Sequence, residues 1–192
     1  MIDPHKQPTV GVMASARLPG SEADTERLIE VAKRIGYAIA EHNCVLVTGA
    51  TTGFPDVIAR AARERGGLAI GISPAHSRDE HTSRYSLPHD GVDVLIYTGF
   101  GLKGRNVINV RSSDVVIIFG GELGTLNEFT IAYDEGKVIG VLEGSGGVAE
   151  RIMEISKLSS RRKPGEIIFD EQPETLLERC LNVFHERGQP GF

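Results

Sequence analysis

The stretch that decides the fold is VVIIFGGELGTLNEF, residues Val115–Phe129. Five apolar residues run directly into Gly120-Gly121, and a helical pattern opens near Gly124-Thr125. A glycine turn between a buried strand and a helix is where α/β proteins hold anions, because a ligand can approach the N–H groups at the helix N-terminus. The stretch therefore predicts a strand, a ligand-binding turn and a helix, in that order.

Short β-branched runs alternate with amphipathic segments along the rest of the chain. The runs are apolar at consecutive positions, which is typical of parallel strands covered on both faces. Helical spacing of apolar residues occurs in segments 28–39, 148–158 and 176–184. This order predicts a Rossmann-like, doubly wound α/β fold with a mainly parallel sheet of about seven strands and helices on both faces. The predicted strands are Thr9–Ala14, Cys44–Thr48, Leu68–Ser73, Asp93–Tyr97, Asp114–Phe119, Lys137–Leu142 and Glu166–Phe169.

The composition is that of a single globular domain, which we assign to residues 1–192. Hydrophobic residues make up 40% of the chain and charged residues 24%. The net charge of −5 gives no general reason to expect a nucleic-acid or membrane partner. No apolar run approaches the length of a membrane span, and the opening MIDPHKQP has no apolar signal segment. We therefore expect a cytoplasmic protein, with Cys44 and Cys180 as core thiols rather than a disulfide.

Residues Pro74–Val92 interrupt the alternation with neither a helical nor a strand period. A polar connection of this length is unusual in a compact α/β domain, and such loops tend to be lids, interfaces or disordered. It contains His76, His81 and His89, whose spacing matches no metal-ligand motif. We therefore expect a solvated polar loop and no metal site.

Small residues follow three of the predicted strands. The carboxyl ends of parallel strands meet at one edge of the sheet, where α/β proteins bind ligands. The three turns are ASARLPGS at 14–21, GATTGFPD at 49–56 and GGELGT at 120–125. Each turn alone is equally well explained as a tight corner, and neither a dinucleotide fingerprint nor a Walker A loop is present. Together they favour a ligand crevice, with candidate binding residues Ala14, Ser15, Gly49, Ala50, Thr51 and Gly53.

Charged residues supply the other half of the candidate site. Arg105 lies near the start of the predicted helix before the fifth strand, and therefore near the ligand edge. Arg111 lies toward the far edge, where it is free to pair with an acid or to cover apolar surface. Glu128 follows Thr125 by three residues, which fits a capping box. It equally fits a carboxylate beside a phosphate-binding turn that acts as a general base or stabilises a cationic transition state.

The run from Arg105 to Glu128 resembles the LOG family of cytokinin-activating nucleoside-monophosphate phosphoribohydrolases, which are often mislabelled lysine decarboxylases. The family signature Pro-Gly-Gly-x-Gly-Thr-x-x-Glu corresponds here to GGELGTLNE, residues 120–128. The two upstream arginines of the family correspond to Arg105 and Arg111. The details are most similar to a branch that includes molybdenum-cofactor carrier proteins.

The resemblance implies a Rossmann-like fold, a homodimer or higher homo-oligomer, and a nucleotide-like small-molecule ligand. Arg105 would orient the phosphate or ribose, and Glu128 would stabilise an oxocarbenium-like transition state while water cleaves the N-glycosidic bond. No cofactor is required beyond a bound nucleotide or phosphate. Pyridoxal-dependent decarboxylation is rejected because no lysine has a suitable strand-end context. The implied phosphate turn consists of Gly121, Leu123, Gly124 and Thr125.

Three positions depart from the family pattern: Gly120 replaces proline, Glu122 replaces glycine and Asn106 replaces lysine. An inward-pointing Glu122 would repel a phosphate by ~1–4 kcal/mol per charge pair. A positive φ at that position would also disfavour glutamate. Three hypotheses stay open: a phosphoribohydrolase, a non-catalytic nucleotide or molybdopterin-type cofactor binding or carrier module, and a structural dimer with a vestigial pocket.

Overall fold

The computed structural model describes residues 7–18, 20–160 and 165–188, so Pro19 in the first predicted turn lies outside the described residues. Within them, the chain forms one all-parallel sheet of seven strands in the order β4-β3-β2-β1-β5-β6-β7. All seven predicted strands are confirmed, and five begin one residue later than predicted. They are β1 Thr9–Ala14, β2 Val45–Thr48, β3 Ala69–Ser73, β4 Val94–Tyr97, β5 Val115–Phe119, β6 Val138–Leu142 and β7 Glu166–Asp170.

Helices cover both faces of the sheet, as predicted, and each face has its own core. On one face α1, α2 and α6 bury their apolar stripes, and this core includes the free thiols of Cys44 and Cys180. On the other face α3 and α4 pack together, with α3 against β3 and α4 against β5 and β6. The helices are α1 Glu22–Glu41, α2 Phe54–Glu64, α3 Gly101–Arg111, α4 Leu123–Asp134, α5 Ile152–Ser156 and α6 Pro173–Arg187.

The segment with helical spacing at 148–158 forms a shorter helix than its pattern indicates. A 3₁₀ turn, Gly147–Arg151, precedes the five-residue α5. The N–H groups of Val148 and Ala149 donate to the carbonyl oxygens of Gly121 and Gly120. Because these N–H groups bond to the glycine turn after β5 rather than within their own segment, the 3₁₀ turn stabilises that glycine turn.

The Pro74–Val92 connection exposes many of its polar residues, as a solvated loop does, but it also has a buried anchor that the sequence did not predict. It contains a π-helical turn, Glu80–Arg84, in which His81 is fully buried. The His81 Nε2–H donates to the carbonyl oxygen of Pro88, and Nδ1 accepts from the Ser73 hydroxyl, both at 2.8 Å. One histidine therefore ties the loop to the end of β3 through Ser73 and holds two parts of the loop together through Pro88.

We predict that His81→Ala lowers the free energy of unfolding by about 2–4 kcal/mol, because it leaves buried hydrogen-bonding groups unsatisfied and opens a cavity. Urea denaturation measures the change. The control is His89→Ala in the same loop, where an exposed side chain is removed and the change stays within about 0.5 kcal/mol. Equal effects of the two substitutions would contradict an anchoring role for His81.

Candidate functional site

Strands β1 to β4 follow one another across the sheet in one direction, and β5 then lies on the opposite side of β1. The strand order therefore reverses between β1 and β5. In open α/β sheets such a switch point leaves a crevice beyond the carboxyl ends of the strands. Here the crevice holds a cavity of about 310 Å³, a volume at the lower end of the range for small-molecule sites. Its walls are the segments after β1 and β2, the inner face of α3 and the first two turns of α4.

The cavity brings together eight of the twelve predicted site residues. The segments after β1 and β2 contribute small residues, α3 contributes Arg105, and α4 contributes the rest. Four predicted residues do not line it: Leu123 turns its side chain to solvent with 76% exposure, and Ala50, Gly53 and Gly121 shape the adjoining backbone. The eight lining residues are Ala14, Ser15, Gly49, Thr51, Arg105, Gly124, Thr125 and Glu128.

Gly121 and Gly53 support the site through backbone geometry. Gly121 has a φ of 92°, and a Cβ there would lie 2.3 Å from Thr125 Oγ1. Gly53 has a φ of 76°, precedes α2 and closely approaches the backbone of Ala16. The N–H of the next residue, Phe54, donates to the carbonyl of Ser15 at 3.1 Å. Both glycines therefore position turns that line the cavity without lining it themselves.

Helix α4 begins three residues earlier than the capping-box interpretation requires, so that interpretation is wrong. Glu122 is the N-cap residue, and Thr125 is the third residue of the helix. Glu128 is the sixth, one turn too far along to cap the helix. The N-cap side chain forms no capping hydrogen bond, which leaves the first N–H groups of α4 available to an anion.

Glu122 does not have the positive φ that was considered for it. Its φ of −122° and ψ of −157° are extended backbone, and the positive φ values fall on Gly120 and Gly121 instead. Its side chain is 65% exposed at the cavity rim, with Oε1 3.9 Å from Nη1 of Arg17. An exposed pair at this distance contributes little energy. The Glu122 side chain therefore lies at the rim of the cavity and does not occupy its interior.

Arg105 is 6% exposed and lies directly against the backbone of Gly49. A Cβ at Gly49 would sit 1.6 Å from Nη1, so a side chain there would displace the guanidinium. The Nε of Arg105 is buried and has no hydrogen-bond partner among the described residues. Burial lowers the pKa of Arg105 from its ordinary value, and the nearby Glu128 carboxylate opposes that effect. A buried, incompletely bonded guanidinium is costly and marks a functional site.

Glu128 lies in the same buried end of the cavity, 7% exposed. Its Oε1 accepts a hydrogen bond from Asn109 Nδ2 at 3.3 Å. Burial raises the pKa of the Glu128 carboxyl above its ordinary value, although Arg105, the Asn109 hydrogen bond and Lys103 act in the opposite direction. Burial therefore outweighs the mutual attraction of Arg105 and Glu128, and it disfavours the charged form of both.

The predicted site residues do not include three polar residues of α3 that line the cavity: Lys103, Asn106 and Asn109. Asn106 donates to Asn127 of α4 at 2.8 Å, and the Oδ1 of Asn109 is buried without a partner among the described residues. Lys103 supplies an ammonium group beside α4, three residues before the position where the resemblance shows a missing lysine. The sequence contains a signal for these residues: α3 has no apolar stripe although it covers the sheet, which indicates that its buried face is polar.

Arg111 is on the same helix but outside the site. Its Nε donates to Glu135 Oε1 at 2.8 Å, and its side chain is 67% exposed. Pairing with an acid at the far edge is one of the two alternatives that the sequence left open. The two arginines thus have separate roles despite their proximity in sequence.

No cluster of three or more His, Cys, Asp or Glu side chains suited to a metal ion occurs in residues 7–18, 20–160 and 165–188. The three histidines of the 74–92 connection have different surroundings, and His89 is exposed. His81 anchors the loop, and His76 pairs with Glu80, which also bonds Arg84. The polar chemistry of the cavity thus comes from arginine, lysine, asparagine and glutamate side chains and from the start of α4.

The fold and the site together define a Rossmann-like protein with a small-molecule crevice at its switch point. The pattern of the SLOG cluster4 family matches residues 7–177. The chain belongs to that family, and the resemblance to the LOG-like proteins is confirmed.

Known proteins similar to this chain include molybdenum-cofactor proteins. The molybdenum cofactor binding protein of Rippkaea orientalis is 32% identical, with a TM-score of 0.74 over 93% of this chain and 98% of that one. The molybdenum cofactor carrier protein of Chlamydomonas reinhardtii is 27% identical, with a TM-score of 0.68 over 92% and 99%. A protein of Archaeoglobus fulgidus is 37% identical over 118 residues, 62% of this chain and 72% of that one.

We predict that Glu128→Gln stabilises the unliganded protein at pH 7 by an amount on the order of 1 kcal/mol, as is usual when a strained functional residue is replaced. Because the folded pKa of Glu128 is raised, its stabilising contribution is complete below the unfolded pKa near ~4.3 and is lost as pH rises through the folded pKa. The gain should therefore shrink toward pH 4. Thermal denaturation between pH 4 and 8 measures it.

The control for this prediction is Glu122→Gln, which removes an exposed carboxylate from the start of the same helix. Its effect on stability at pH 7 should stay within about 0.5 kcal/mol. A Glu128→Gln difference that is independent of pH would contradict a raised pKa.

Proposed function

We propose that the crevice binds a small molecule that joins a phosphate to a heterocycle, either a nucleotide or a molybdopterin-type cofactor. The single observation that carries this proposal is the buried Arg105 guanidinium, whose Nε lacks a partner in the described part of the chain. Its guanidinium lies on Gly49 in the wall of the cavity. A protein gains nothing in stability from such an arrangement, whereas a ligand acceptor would satisfy it.

A phosphate has a suitable position at the start of α4. The first N–H groups of α4 have no side-chain cap, and the helix dipole adds partial positive charge there. The ammonium of Lys103 lies on this side of the cavity, 4.0 Å from where a Cβ of Gly124 would be. The exposed Arg17 adds a second cation at the rim. These groups outweigh the one carboxylate at the mouth, Glu122, and support a phosphate-bearing ligand.

The family and the similar structures support the same reading. A molybdenum cofactor binding protein and a molybdenum cofactor carrier protein share this fold at 32% and 27% identity over nearly their whole length. Those proteins bind or carry their cofactor, which agrees with a pocket that holds a ligand without altering it. We therefore place the non-catalytic binding or carrier function first.

Hydrolysis of a nucleoside monophosphate is the second candidate, and the burial of Glu128 beside Arg105 is the observation that favours it. In that reaction water adds to C1′ of the ribose, the N-glycosidic bond breaks, and the departing base takes up a proton. A carboxyl group with a raised pKa is suited to holding such a proton. Neither the hydrolysis nor the binding function requires a cofactor in addition to the ligand itself.

The expected partners follow from the same features. A small-molecule partner rather than nucleic acid or membrane, and a cytoplasmic location, stay predictions from composition. No helix in the described residues combines the length and apolar character needed to cross a bilayer. Self-association as a homodimer or higher oligomer also stays a proposal, supported by the exposed apolar side chains of Val94 and Ile96 on edge strand β4, each 45% exposed.

We predict that Arg105→Ala weakens binding of AMP and GMP at least tenfold, because a charged hydrogen bond to the ligand contributes ~1.5–3 kcal/mol. Isothermal titration calorimetry measures the affinities, with the unphosphorylated nucleosides as ligand controls. The matched control is Arg111→Ala on the same helix, which removes an exposed ion pair and leaves binding unchanged. Equal affinities of the two variants would overturn the proposed site.

The hydrolytic candidate makes a separate prediction. If it is correct, purified protein releases free base and ribose 5-phosphate from a nucleoside monophosphate, and Glu128→Ala lowers the rate by about 10²–10⁴-fold. Chromatography of the products at high protein concentration detects release. Binding without release would remove the hydrolase and leave the carrier, while release that persists in Glu128→Ala would contradict the role of Glu128.

A further inference from the structure

The buried end of the cavity has hydrogen-bonding groups that the protein itself does not satisfy. On the donor side, the Nε of Arg105 has no partner among the described residues. On the acceptor side, Asn109 Oδ1 likewise has none there, and the Glu128 carboxylate accepts one bond at 3.3 Å, from Asn109 Nδ2. A carboxylate has about four acceptor positions, so most of the capacity of Glu128 remains. This end is therefore suited to a ligand that presents both an acceptor and several donors.

The charges of the two ends of the cavity differ. The buried end contains one cation and one anion, Arg105 and Glu128, whose electrostatic effects on each other partly cancel. The mouth has the start of α4, Lys103 and Arg17 against the single carboxylate of Glu122. A phosphate dianion is repelled by Glu128 and attracted to the mouth. The uncharged, hydrogen-bonding part of the ligand is thereby directed to the buried end.

We infer that Arg105 and Glu128 read the 2-amino-4-oxopyrimidine edge that guanine and pterin rings share, while the ligand's phosphate occupies the mouth at Lys103 and the start of α4. This inference rests on the proposed function, namely a phosphate-bearing ligand in this crevice. The ring carbonyl accepts from the guanidinium of Arg105. The ring N–H and the exocyclic amino group donate side by side to the carboxylate of Glu128.

This edge matches the site better than those of other common heterocycles. It places one acceptor next to two adjacent donors, the arrangement that a guanidinium and a carboxylate can bond simultaneously. Hypoxanthine keeps the carbonyl and the ring N–H but lacks the amino group. Adenine reverses the pattern, with an acceptor ring nitrogen beside a single donor group. Each missing donor leaves a buried carboxylate oxygen without a partner, which makes discrimination strong in a desolvated site.

The test compares ligands on the wild-type protein, so no variant has to fold. GMP, IMP and AMP carry the same ribose phosphate and differ at the edge of the base. Isothermal titration calorimetry should show GMP binding about 10- to 100-fold more tightly than IMP and AMP. A neopterin monophosphate carries the same edge on a pterin ring. Tighter binding of it than of GMP assigns the site to pterins, and the reverse assigns it to guanine nucleotides.

Glu128→Gln tests the assigned contact. Gln replaces one acceptor oxygen with a donor, so the ratio of GMP to IMP affinity should fall to about one while binding of ribose 5-phosphate is unchanged. Circular dichroism confirms that the variant is folded, and Glu122→Gln is the control that retains the full ratio. A purely structural Glu128 would alter all ligands alike and leave the ratio intact.

The outcomes separate this inference from the proposed function. Equal binding of GMP, IMP and AMP, each tighter than its unphosphorylated nucleoside, overturns the edge assignment and leaves the phosphate site standing. Tighter binding of AMP than of GMP overturns the assignment as well. Binding that does not depend on phosphate, or no binding of any of these ligands including the pterin, overturns both.

Discussion

The contact between the Arg105 guanidinium and the backbone of Gly49 is the constraint on which the crevice depends. The position after β2 must be glycine, because a Cβ would occupy the volume of Nη1. Helix α3 must in turn present a polar face inward, with Arg105, Asn106 and Asn109 buried where a covering helix ordinarily places apolar residues. The all-parallel sheet makes this contact possible, since the end of β2 and the start of α3, which follows the end of β4, lie at the same edge of the sheet.

The buried residues therefore form two apolar cores and one polar seam, which lies between α3 and the start of α4. Each face of the sheet has a buried cluster of aliphatic and aromatic side chains, and these clusters stabilise the fold. The seam between α3 and the start of α4 buries Arg105 and Glu128 in conditions that disfavour both charges. Such groups persist only where the surrounding structure determines their positions, which is a feature of binding and catalytic sites rather than of structural ones. The hypothesis of a vestigial pocket is therefore the weakest of the three.

The sequence predicts the sheet well because its central strands are buried on both faces and appear as unbroken apolar runs, as in Val115–Phe119. It also identifies the edge that binds ligands, since glycines cluster after three strands. It fails where tertiary contacts override local pattern. The N-terminus of α4 is set by the positive φ of Gly120 and Gly121 and not by Thr125, so the apparent capping box misleads. The anchoring of His81 depends on Pro88 and Ser73 across a loop with no periodicity.

The departures from the LOG pattern change the distribution of charge rather than remove the site. Glu122 lies at the rim with extended backbone, so it neither strains the turn nor occupies the cavity. Asn106 stands where the family has lysine and carries no charge. Lys103 supplies an ammonium group instead, at the mouth of the cavity. In the proposed binding mode, a phosphate at the mouth directs the rest of the ligand inward, where Glu128 contacts the heterocycle instead of the ribose. In that mode the carboxylate is not placed to assist attack at C1′, so the proposed orientation is one for binding a ligand rather than for hydrolysing it.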